Sequence, residues 1–98
     1  MKFYMKIYRV EREVIVAVCD EELHGRIFEE DEVRLEISKD FYGNELFSEL
    51  EIVSALRGAT IANLSGEKTV AIGIREGLID RNIVLKVSGI SHAQYARP

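Results

Sequence analysis

Hydrophobic and polar positions alternate strictly over residues 3–8. Phe3, Met5 and Ile7 fall on one side, and Tyr4, Lys6 and Tyr8 on the other. A period of two predicts a half-buried strand. Residues 14–19, Val-Ile-Val-Ala-Val-Cys, are continuously apolar and rich in β-branched side chains, as expected of a central strand covered on both faces. Glu11-Arg12-Glu13 is short enough for a hairpin link but lacks the favoured Gly or Asn, so some departure from ideal turn geometry is expected there. Asp20 to Gly25 predicts a short helical turn, with Asp20 as its cap and Gly25 as a left-handed stop. Glu29-Glu30-Asp31-Glu32 sets four carboxylates side by side, which predicts an exposed loop or turn. Val33, Leu35 and Ile37 alternate with polar residues and predict another strand, and residues 38–44 read as a turn.

The second half changes period. Ser48 and Glu51 have the spacing of a capping box, and Phe47 and Ile52 that of a hydrophobic staple. Ile52, Val53 and Leu56 continue the apolar stripe of a helix, and Gly58 stands where a C-terminal glycine belongs. Residues 59–64 predict a short buried strand. Ser65-Gly66 then opens a second helix with Val70, Ala71, Ile74 and Leu78 at helical spacing and Gly77 as its stop. Asp80-Arg81-Asn82 predicts a turn and residues 83–87 a last strand, and the tail from Ser88 to Pro98 shows no clear period. The order β-β-β-α-β-α-β implies an α+β fold. One mixed, mainly antiparallel sheet of four to five strands, with two helices on one face, is the economical solution. A strand-rich part (1–38), an αβαβ part (46–87) and a tail (88–98) would make one domain, with a right-handed β-α-β unit over 59–87.

Composition narrows the class. The 98 residues are 47% hydrophobic and 31% charged, unlike a disordered chain. A single cysteine leaves no disulfide framework and no zinc finger built on several thiolates. No apolar run approaches membrane-spanning length, and the N-terminus lacks the order of a signal peptide, so a soluble cytoplasmic protein without membrane partners is expected. The net charge of −4 is the wrong sign for a dedicated nucleic-acid-binding domain. The charge is uneven, however. Residues 1–49 carry 7 basic and 13 acidic side chains, and residues 50–98 carry 6 and 4, so any basic face belongs to the second half. One Gln and three Asn against plentiful Glu, Arg, Ile and Val suit a thermophile.

Chemistry-bearing residues are sparse. Asn63, Ser65, Gly66 and Lys68 fall where a strand should turn into a helix, and a helix N-terminus offers unpaired N–H groups to phosphate or carboxylate. The segment is neither a P-loop nor a dinucleotide fingerprint, and Ser65 also reads as an ordinary cap. His92 lies beside Ser91 in the tail, with no acid whose placement would complete a triad. A site at the strand-to-helix turn gains if His92 packs beside Ser65 and loses if the tail is remote. Cys19, His24 and His92 lack metal-ligand spacing, so a buried structural cysteine is the better reading and no metal or cofactor is expected. Tyr4 and Tyr8 flank Lys6 on one strand face, where they serve core packing or stack single-stranded RNA.

Several stretches carry a resemblance over nearly the whole chain: Lys6 to Val10, Ala17 to Leu23, Phe41 to Gly43, Ala55 to Leu64, Ala71 to Ile79, and His92 to Gln94. The most specific is Arg57-Gly-Ala-Thr-Ile-Ala-Asn-Leu64. The chain resembles the small archaeal family known as domain of unknown function 424. Ser91 departs from the proline, and Asn44 from the second glycine, that the family pattern leads one to expect. The resemblance implies an archaeal cytoplasmic protein with a link to translation genes, and it supplies no catalytic residue. Two functions follow as expectations. The first is a non-catalytic binding module docking on the ribosome, on RNA or on a translation protein, through Arg57, Lys68, Arg75, Arg81 and His92. The second is a small-anion or nucleotide site at Asn63–Lys68, enzymatic in its strongest form. A homodimer pairing the apolar strands near the start is open.

Overall fold

The computed structural model describes all residues, Met1–Pro98. Eight strands form: β1 Lys2–Val10, β2 Glu13–Asp20, β3 Ile27–Glu30, β4 Val33–Glu36, β5 Leu46–Ser48, β6 Ile61–Ser65, β7 Leu85–Val87 and β8 Ile90–Ala96. Three α-helices join them: α1 Lys39–Tyr42, α2 Glu49–Arg57 and α3 Glu67–Arg75, with 3₁₀ turns at Glu21–Leu23 and Arg81–Ile83. Six strands make one mixed sheet in the order β5-β1-β2-β6-β8-β7, and β3 and β4 make a separate hairpin. Of the five pairings in the large sheet only β2–β6 is parallel. The α+β class and the mixed, mainly antiparallel sheet are as the sequence predicts. The strand and helix counts are higher.

Side-chain alternation divides the core by sheet face. Phe3, Met5, Val16, Val18, Ala62, Leu64 and Ala93 point to one face and are covered by Ile52, Val53 and Leu56 of α2 and Val70 and Ile72 of α3. Both longer helices thus lie on one face, as expected. The opposite face buries Ala17, Cys19 and Val87 beneath Leu23, Leu35, Ile37 and Tyr42. Its cover is α1, the first 3₁₀ turn and the β3–β4 hairpin. α2 forms where its signals place it: Ser48 and Glu51 complete both halves of the capping box. Gly58 caps its C-terminus as expected, with right-handed backbone at φ −96°.

Five local expectations need correction. Residues 29–32 are not all loop: Glu29 and Glu30 end β3, and only Asp31-Glu32 form the turn to β4. Residues 38–44 hold α1, capped by Ser38, whose Oγ accepts from Phe41 N at 3.3 Å. Leu46 and Phe47 lie in the edge strand β5. The 83–87 strand shortens to Leu85–Val87, because Arg81–Ile83 take a 3₁₀ turn. The tail is β8, paired with β6 on one side and β7 on the other. β8 therefore sits between β6 and β7, and the β-α-β unit over 59–87 is split. The parallel neighbour of β6 is β2.

The hairpin link at Glu11-Arg12 is a two-residue turn closed by the Val10–Glu13 pair, with Glu11 in the left-handed region at φ 56°. A charged residue stands where that turn favours Gly or Asn. No helix is long and apolar enough to cross a membrane.

Candidate functional site

The parallel pairing of β2 and β6 sets Cys19 opposite Ser65, at the carboxyl ends of two central strands. α3 starts there, so this is where a helix N-terminus meets the sheet. Asp20 follows Cys19, and its alternate direction aims it at the helix-bearing face. Its Oδ2 accepts from Lys68 N at 3.1 Å, and its Oδ1 from Thr69 N at 2.8 Å and Thr69 Oγ1 at 2.7 Å. The carboxylate is 3% exposed. Asp20 makes no side-chain cap to the 3₁₀ turn that follows it in sequence. It caps a helix 48 residues away instead. Gly66, the N-cap residue of α3, has φ +108°, and a Cβ there would collide with the Asp20 carboxylate. Only glycine satisfies both the backbone and the close carboxylate.

Ser65 points the other way. Its Oγ lies 2.8 Å from Tyr42 Oη and 2.8 Å from His92 Nδ1, forming a chain from α1 through β6 to β8. The strand register sets Ser65 opposite His92. Sequence analysis named Ser65 and His92 but not Tyr42, which shows in the sequence only as one of two adjacent aromatics. Burial pushes the Tyr42 hydroxyl up to about 12, against the opposing pull of the Ser65 hydrogen bond. Burial also holds the His92 imidazolium below the ordinary value of 6.5. Ser65 is 0% exposed, with its oxygen shared between two partners. The arrangement is a polar tie across the sheet's second face, with no open path to the hydroxyl.

The four residues expected to hold an anion are thereby separated. Asn63 and Ser65 sit on the sheet face away from α3, with Asn63 opposite Gln94. Gly66 and Lys68 sit at the α3 terminus, where Asp20 already accepts from the amides of Lys68 and Thr69. Ser65 is not the cap of α3. The position an incoming anion would take is filled by the protein's own carboxylate.

The expected contact residues divide similarly. Arg75 bonds Glu49 at 2.8 Å and Glu76 at 3.4 Å, and Arg57 reaches the same Glu76 at 3.4 Å. Arg75, Arg81 and Lys86 line one open groove of about 700 Å³ together with a single carboxylate, Glu67, and with Val70, Ala71, Ile74 and Val84 as the apolar part of its wall, so its cations outnumber its anion three to one. Sequence analysis missed Lys86, although its place in an otherwise apolar strand marks it as facing outward. Lys68 lies apart, 3.9 Å from Glu22. His92 is on the far face, in a smaller groove of about 360 Å³ with Ile83, Leu85 and Gln94.

The remaining candidates are structural. Burial, then the charges of Asp20 and Glu22, push the Cys19 thiol up to about 12, so no reactive thiolate forms. His24 donates from Nε2 to the Gly43 carbonyl at 2.6 Å and stacks on Tyr4 at 3.7 Å between centroids. Cys19, His24 and His92 do not gather, and no group of three or more His, Cys, Asp or Glu side chains is placed to hold a metal. Tyr8 donates to the Phe41 carbonyl at 2.6 Å and stacks on Phe41 at 5.6 Å, while Lys6 Nζ donates to the Asp40 carbonyl at 3.1 Å. α1 therefore covers the aromatic strand face that RNA bases would need.

The family model described as "Protein of unknown function (DUF424)" matches residues 8–97. A crystal structure of an uncharacterized conserved protein from Methanopyrus kandleri is similar over 100% of this chain and 96% of that one, at 22% sequence identity and a TM-score of 0.78. At that identity the likeness is one of fold. No curated protein matches the sequence.

Proposed function

The chain belongs to the DUF424 family, whose function is unknown, and from that premise we propose that it is a non-catalytic binding module that docks on a partner in the translation apparatus, either RNA or protein. The observation that carries this reading is the convergence of Arg75, Arg81 and Lys86 on one groove. Arg81 and Lys86 are exposed and have no carboxylate within salt-bridge distance inside the chain, so their charge is available to a partner. Arg57 lies outside the groove lining and pairs with Glu76, the carboxylate that also pairs with Arg75. The link to translation rests on the family resemblance.

The test is co-sedimentation with archaeal ribosomes at low and high salt. Wild type sediments with the particles at low salt, and Arg75→Gln with Arg81→Gln reduces the bound fraction several-fold. Release at high salt marks a phosphate-dominated contact, whereas salt-resistant sedimentation marks a protein surface. Protein that stays at the top of the gradient in both salts defeats the reading.

The small-anion reading keeps one support, the Ser65–His92 contact. It requires phosphate or a nucleotide to shift the backbone amide resonances of residues 65–68 selectively. Because Asp20 occupies that terminus, the expected result is no selective shift at millimolar ligand.

A further inference from the structure

The edge strand β7 separates two unlike surfaces. On one side of the sheet the β3–β4 hairpin packs over Val87, and Ser88 ties it down: Ser88 N donates to Glu30 Oε1 at 2.7 Å, and Ser88 Oγ to the Glu29 carbonyl at 2.6 Å. The hairpin presents Glu29, Asp31 and Glu32, none of which has a cation within salt-bridge distance. On the other side of the same strand lies the groove with Arg81 and Lys86, equally unpaired. Apolar exposure concentrates on the same elements. Ile83 is 65% exposed, Leu85 49%, Ile27 48% and Val33 45%, four of the nine large apolar side chains that face solvent. The outer edge of β7 pairs with no strand.

These surfaces fit each other in a second copy. A two-fold axis running along β7 exchanges the two faces of the sheet. It therefore lays the acidic hairpin of each copy over the basic groove of the other, and both contacts form at once. Such an arrangement is closed and self-complementary. A two-fold axis perpendicular to the sheet would keep both hairpins on one side and leave both grooves empty.

We propose that the protein self-associates as a two-fold dimer across β7, with the β3–β4 hairpin of one copy seated against Arg81 and Lys86 of the other. The contact lies at the opposite end of the sheet from β1, where sequence reasoning would place a dimer. Arg81 and Lys86 also serve the partner surface proposed above, so dimer and partner compete for them. The dimer is therefore measured with the full chain alone, and its absence leaves the ribosome test intact.

The experiment is sedimentation equilibrium at low and high salt, with three samples beside wild type. Glu29→Lys with Glu32→Lys reverses the hairpin, and Arg81→Glu with Lys86→Glu reverses the groove. All four residues are exposed, so the folded spectrum in circular dichroism is retained. Wild type runs at twice the chain mass at low salt and dissociates as salt rises. Each variant alone is monomeric. An equimolar mixture of the two recovers the double mass, because each reversed hairpin meets a reversed groove and each native hairpin a native one. Wild type that stays monomeric at low salt overturns the proposal. So does a dimer indifferent to both variants, or a mixture that remains monomeric.

Discussion

Asp20 accepts three hydrogen bonds from the first turn of α3 while nearly excluded from water. Replacing it by Ala leaves two backbone donors and a threonine hydroxyl without an acceptor, and removes a negative charge from the positive end of the helix. Asp20→Ala should therefore cost about 2–4 kcal/mol, read as a lower urea midpoint. Gly66→Ala should be as damaging in wild type. In the Asp20→Ala background it should cost less, since the clash is gone and only the backbone strain remains. His92 gives a second residue-scale outcome. Its imidazole is held neutral by burial, so its folded pKa lies below the unfolded value of about 6.5. Between those values the unfolded chain binds the proton and the folded chain does not. Stability then falls as pH drops below about 6.5 toward the lower folded value, and His92→Gln flattens that slope in pH-dependent urea titrations.

At the scale of elements, the three two-residue hairpin turns share one device. Glu11, Asp31 and Ser88 open them with φ of 56°, 55° and 50°. For an L-residue this conformation costs about 1–2 kcal/mol, which glycine escapes. Glu11→Gly should raise the melting temperature, with a net gain of about 0.5–1 kcal/mol after the added chain entropy of glycine. The lack of Gly or Asn at Glu11 was visible in the sequence, as were the α2 capping box and the strands at 3–8 and 14–19. Each is written in residues within a few positions of one another. β3 was hidden because Ile27-Phe28 is too short an apolar signal beside a run of carboxylates. β8 was hidden because the residues it turns to the helix-bearing face, Ser91 and Ala93, are small, while the opposite face carries the polar His92, half-buried against Ser65, and the exposed Gln94. Its alternation is therefore one of size and not of polarity. α1 is too short, at Lys39–Tyr42, to show a helical period. In the candidate site the residue types were legible but their partners were not. Asp20 reads locally as a cap for the turn beside it, and nothing within ten residues announces α3.

Over the whole molecule, uneven charge along the sequence becomes uneven charge in space. The acidic first half supplies the hairpin on one face at β7, and the second half supplies Arg75, Arg81 and Lys86 on the other. The −4 net charge conceals this polarity. The sheet also joins distant stretches of chain, with β2 and β6 parallel at its centre. The cap on α3 depends on that pairing, since it delivers Asp20 to residues 68 and 69. The start of α3 thus behaves as a receptor whose ligand is tethered to the same chain. A free anion must displace a carboxylate held at an effective concentration that ordinary solution levels do not approach. Cutting the tether's end group reverses the situation: in Asp20→Gly the receptor is intact and vacant. Formate or acetate added in solution should then restore part of the lost stability in proportion to its concentration, while leaving wild type unchanged.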